Sequence, residues 1–169
     1  MPSRPEGELL QRCLVLASVA MLLVIGFILT LLIFYPGIMT FDSKYLHEYA
    51  MKGTMGDWQS PVMVRLWALI DPIAPGAASM FLVIAATYWL GFGLLSLTLA
   101  SRGSRVALLL PLLAMTPPSL ALAGVIWRDV LFATCWLLAA SIAFAAAERR
   151  SWRGSSWMRG RARSYKLRS

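Results

Sequence analysis

Four long stretches of the chain carry no charged residue: Cys13–Tyr35, Pro75–Ala100, Val106–Ile126 and Val130–Ala147. At about 1.5 Å of rise per residue, a helix of roughly 20 apolar residues crosses the ~30 Å hydrocarbon core of a bilayer. Each stretch therefore predicts a membrane-spanning helix, with spans near 13–35, 75–100, 106–126 and 130–147. The first run is longer than the apolar core of a cleaved signal peptide, about 7–15 residues. It ends in Phe34-Tyr35-Pro36-Gly37 and reads as an uncleaved anchor with an aromatic interfacial end. The third holds Pro111, Pro117 and Pro118. Prolines remove backbone hydrogen bonds, so this helix is expected to kink or unwind near Thr116-Pro117-Pro118. The predicted fold class is all-α: a polytopic helix bundle with about four transmembrane helices.

The longest polar interval separates the first two spans, over residues 36–74. Its front part, Tyr35 to Pro61, holds the only histidine, His47, and three of the eight acidic residues, Asp42, Glu48 and Asp57. Asp42-Ser43 precedes a short predicted helix, KYLHEYAMKG, capped by Asp42 and closed near Gly53. Ser60-Pro61 is a helix start, with Ser at the cap and Pro at the first helical position. The apolar segment Val62 to Ile70 ends at Asp71-Pro72. It is too short to cross a bilayer and is expected to lie in the interface or re-enter.

Composition sharpens the class. The chain is 59% hydrophobic and 14% charged, with mean hydropathy +0.67, whereas soluble domains carry roughly 25% charged residues. The net charge of +8 does not point to nucleic acid, because eight of the sixteen basic residues follow Ala147. That basic tail, 148–169, is expected to be cytoplasmic and disordered or membrane-associated, its charge serving retention or anionic-lipid binding. With the N-terminus in the cytoplasm, Arg102, Arg105 and the tail all fall inside, as positive-inside orientation requires. Asp42, Asp57 and Asp129 then share the outer face. Cys13 and Cys135 sit in apolar runs and read as packing residues, with no disulfide expected.

The candidate chemistry is acidic. Asp42, a few residues beyond the first span, suits a general base or a divalent-cation ligand; the competing use is a helix cap. Asp57-Trp58-Gln59-Ser60-Pro61 combines an aromatic ring with polar groups, which suits a sugar or a lipid head group, or equally an interfacial anchor with a cap. Arg128-Asp129 sits between two spans with almost no loop, either as an ion pair at a helix start or as part of a pocket shared with Asp42. His47 has no second ligand four residues on, so zinc is not expected. Lys44, Glu48 and Lys52 form a solvated i,i+4 ladder. No phosphate-binding Gly-rich loop and no G-x-S-x-G occurs.

Taken together, these features resemble the polytopic C-type glycosyltransferases, the superfamily of protein mannosyltransferases and aminoarabinose transferases. The resemblance runs from Tyr35 to Phe144 and covers the front of the family's module. It rests on an acid early in the first outer loop (Asp42-Ser43), an aromatic-Pro element starting an interfacial helix (Trp58-Gln59-Ser60-Pro61), a span ending in Thr116-Pro117, and an Asp just before the next span (Arg128-Asp129-Val130). Ser43 stands where the family often has a second acid, and Gln59-Ser60-Pro61 where it often has His-Pro-Pro.

The resemblance implies sugar transfer from a polyprenyl-phosphate donor on the outer face of a bacterial plasma membrane. Asp42 would be the catalytic base or a metal ligand. Asp129 would help bind a divalent cation (Mg or Mn) or, with Arg128, the donor phosphate, and Asp57, Trp58 and Gln59 would contact substrate. The alternative expectation is a non-catalytic membrane protein, a fragment or accessory subunit packing on a larger partner through Gly91 and Gly93.

Overall fold

The computed structural model describes residues 4–54 and 60–166. It is 83% helical, the all-α class that the apolar runs predict. The elements run α1 (Arg4–Phe34), β1 (Ile38–Met39), α2 (Phe41–Lys52), α3 (Pro61–Ile70), α4 (Ala77–Ser101), a 3-10 turn (Arg105–Leu108), α5 (Leu109–Ala114), α6 (Pro117–Gly124), β2 (Val125–Ile126) and α7 (Arg128–Lys166). Leu9–Phe34 of α1, all of α4, and Arg128–Arg150 of α7 are each long and apolar enough to cross a membrane. The protein is an integral membrane protein. The segment Arg105–Ala114 and α6 make up a fourth crossing if taken as one span, bent by 55°.

The bend lies where the prolines predict it. Pro117 and Pro118 have no N–H, so the carbonyls of Leu113 and Ala114 lose their helical partners four residues on. Both are satisfied by side chains. Thr116 Oγ1 donates to the Leu113 carbonyl at 2.8 Å, and Tyr88 Oη donates to the Ala114 carbonyl at 2.7 Å. In a bilayer, where water cannot rescue a free carbonyl, such partners allow the break to exist.

α4 is the central helix. Its Met80, Phe81, Ile84 and Ala85 are fully buried. Small residues let the neighbouring helices close on it, since apolar association inside a bilayer depends on dispersion contact more than on water release. Gly26 of α1 lies directly beneath the Trp89 ring, and a Cβ on Gly91 would come within 2.8 Å of Leu137 on α7. Gly93 faces Leu23 of α1. The Gly91/Gly93 surface is therefore occupied within the chain and is not free for a partner.

Polar groups at membrane depth are satisfied locally. Thr30 donates to the Gly26 carbonyl and accepts from Trp89 Nε1; Thr87 reaches Thr134 across helices at 2.9 Å; Ser96 and Ser141 bond one turn back.

Contacts fix the alternation of the crossings. At one end Arg102 pairs with Glu148, and Arg12 lies against Gly103. At the other, β1 and β2 pair in parallel, Ile38 with Val125 and Met39 with Ile126. The N-terminal part of α1 and the far end of the α7 span therefore share one end of the bundle. α7 continues as helix through Lys166, over the tail for which the sequence predicts a disordered or membrane-associated segment. Its Arg, Ala, Met and Lys residues favour helix, which offsets Gly154 and Gly160.

Candidate active site

The site is built by the strand pair. Gly37 takes φ +106, a left-handed turn open to glycine, and the space over it is filled by Phe81 and Ile126. This turn lays β1 against β2 and so carries the start of the first loop onto the loop between α6 and α7. A second tie crosses the same seam: Trp127 Nε1 donates to Thr40 Oγ1 at 2.9 Å.

Thr40 is also the cap of α2, which corrects the assignment of that role to Asp42. Thr40 Oγ1 accepts from the Ser43 amide, while Ser43 Oγ accepts from the Thr40 amide at 2.7 Å, a reciprocal capping box. Both residue types cap helices, and the register places Thr40 one turn before Ser43, where the box closes. Asp42 is left in the first turn, with no hydrogen bond to its carboxylate among the described residues. Its negative charge there is favourable with the helix dipole. The C-terminal end of α2 is at Gly53, in the left-handed conformation the sequence predicts.

A cleft of about 240 Å³ results, lined by Asp42, Ser43, Leu46, Ile126, Trp127, Arg128 and Asp129. The first turns of α2 and α7 both border it, and helix N-termini favour anions. Two carboxylates and one guanidinium face it. Arg128 Nε lies 3.6 Å from Asp129 Oδ1, and the Asp129 side chain is 84% exposed. At that exposure the pair contributes little to stability, so both groups are available to a ligand.

The structure thus brings together Asp42, Arg128 and Asp129. Asp57, Trp58 and Gln59 lie outside the described residues. Among the described residues no cluster of three His, Cys, Asp or Glu side chains is placed to hold a metal ion. The donor set at the cleft is the Asp42 and Asp129 carboxylates. Mg²⁺ commonly takes one or two carboxylates and completes its shell with substrate phosphate and water, so the donor type at the cleft is one that this cation accepts. Thr40, Leu46 and Trp127 were not singled out from sequence as site-forming. The Thr-x-x-Ser spacing at Thr40 was the available signal.

Beside the cleft lies a second polar cluster. His47 Nε2 donates to Asp71 Oδ1 at 2.9 Å, and the same oxygen accepts from the Gly76 amide at 2.8 Å. Trp67 Nε1 donates to the Gly76 carbonyl. One carboxylate therefore joins α2, the end of α3 and the start of α4. Desolvation pushes the Asp71 pKa up, but the bonds from His47 and Gly76 together outweigh it and hold the pKa below its ordinary value.

Compared with protein-family models, with curated proteins and with solved structures, the chain gives no match to any of the three.

Proposed function

We propose that the protein is a membrane-embedded glycosyltransferase-like enzyme that transfers a sugar from a polyprenyl-phosphate donor at the cleft. The observation that carries this reading is the convergence of Asp42, Arg128 and Asp129 on one cleft at a bundle end, with Asp42 released from capping by Thr40.

In this reading the acceptor hydroxyl gives its proton to the Asp42 carboxylate as its oxygen bonds to the anomeric carbon. The bond from that carbon to the phosphate oxygen breaks, and polyprenyl phosphate leaves with the electron pair. Arg128 faces the phosphate and offsets its charge. A divalent cation, Mg²⁺ or Mn²⁺, held by Asp129, with one Asp42 oxygen as a further ligand and the other left to take the proton, would neutralise the leaving phosphate. Asp57, Trp58 and Gln59 are the proposed sugar contacts. The positive-inside rule supports an outer-face cleft with both termini cytoplasmic, and the family resemblance supports a bacterial plasma membrane.

The test is sugar transfer by the full chain in lipid, from a panel of polyprenyl-phosphate sugars, with and without divalent cation. Wild type is expected to transfer, and Asp42→Asn to lose on the order of 10²-fold or more in rate. A folded Asp42→Asn protein with undiminished transfer would overturn the assignment.

The exposure of Asp129 favours a second reading, an accessory subunit whose open cleft is completed by another membrane protein. If folded wild type transfers from no donor, this reading replaces the first.

A further inference from the structure

We infer that the chain carries a second binding site, for an anionic phospholipid, at the bundle end opposite the acidic cleft. It rests on a different set of residues and does not depend on the transferase reading.

A hollow of about 820 Å³ opens there between the end of α4 and α7, within the size range of small-molecule sites. It has two chemically distinct parts. Leu94, Leu97, Ala145 and Ala146 form an apolar wall that lies within the spans. Arg102, Arg149 and Arg150 form the mouth, with Glu148 as its one acid among the described residues. Glu148 is already paired with Arg102. Arg149 and Arg150 have no acidic partner within ion-pair distance among the side chains the structure describes. A smaller adjoining hollow, lined by Gln11, Arg12 and Arg102 among others, carries the basic surface onto α1.

The rest of the mouth supplies little to an anion. Thr98 and Ser101 donate their hydroxyl hydrogens to the Leu94 and Thr98 carbonyls. α4 ends here, so it presents carbonyls and the negative end of its dipole. Recognition falls to the guanidiniums, which suit phosphate through paired N–H donors. A soluble phosphate would use the mouth alone. The apolar wall continuing from it into the span is what an acyl chain would cover, and basic pockets between spans at a membrane face bind anionic lipid head groups. The ligand class is therefore an anionic glycerophospholipid, its phosphate at Arg149 and Arg150 and an acyl chain along Leu94 and Leu97.

The experiment is native mass spectrometry of the detergent-solubilised full chain, titrated with phosphatidylglycerol or phosphatidylcholine. Wild type is expected to retain phosphatidylglycerol preferentially. A basic residue near an anionic lipid surface contributes roughly fivefold in affinity, so Arg149→Gln with Arg150→Gln should lower it roughly 25-fold. Removing the same charge from further along the tail, by Arg161→Gln with Arg163→Gln, should leave it near wild type. Leu97→Trp, which fills the apolar wall without touching charge, should also reduce retention. Equal retention of the two lipids would overturn the site. So would an equal loss in the Arg161/Arg163 control, which would signify diffuse attraction, or undiminished binding by Leu97→Trp.

Discussion

Asp71 shows how much a single carboxylate can organise. It accepts from His47 on α2 and from the Gly76 amide before α4, and its pKa is held below the ordinary value. A carboxyl whose folded pKa is depressed stabilises the fold above its unfolded pKa, about 3.9, and that contribution is lost as pH falls through the lower folded value. Unfolding midpoints followed by tryptophan fluorescence should therefore rise in wild type as pH is raised through the acid range, from below the ordinary carboxylate pKa to above it. That rise should be smaller in Asp71→Asn; an identical rise in both would refute the role. The link was not legible in the sequence. Asp71 reads as a helix stop and His47 as a solitary ring, and nothing in a separation of 24 residues marks them as neighbours. Thr40 was missed for a different reason: threonine and aspartate both cap helices, and only the backbone register decides between them.

Among the elements, the broken span between residues 105 and 124 is the best test of sequence reasoning. That it breaks was legible, because prolines cannot donate. What repairs it was not, because Tyr88 lies on another helix, 26 residues from Ala114. Tyr88→Phe removes only the hydroxyl and leaves that carbonyl without its donor. It is expected to cost about 1–2 kcal/mol, measured by reversible unfolding in mixed micelles. A change indistinguishable from zero would mean that another group satisfies the carbonyl. The strand pair escaped the sequence more completely. Each strand is two residues long, with no alternation to detect, and lies at the edge of a segment already read as span or loop. The spans themselves were legible because uncharged length alone is sufficient to mark them.

For the whole molecule, the contacts place the N-terminal part of α1 and the far end of the α7 span at the same end. With Cys13 and Cys135 replaced by alanine, Lys52→Cys should react with an impermeant maleimide from the side opposite that which labels Ser104→Cys. Labelling of both from one side would break the alternation. The acidic cleft and the basic hollow thus belong to opposite faces of one small bundle, and a ligand for one does not compete with a ligand for the other. Synthesis runs from the amino end, so β1 emerges long before β2 exists. Until Val125 and Ile126 have been added, Asp42 has no opposing wall, and Thr40 has no Trp127, 87 residues later. The first loop must wait on its own side of the membrane through two further crossings. The cleft is therefore a product of completed insertion, and a nascent chain halted after its second span exposes the acid without assembling the site.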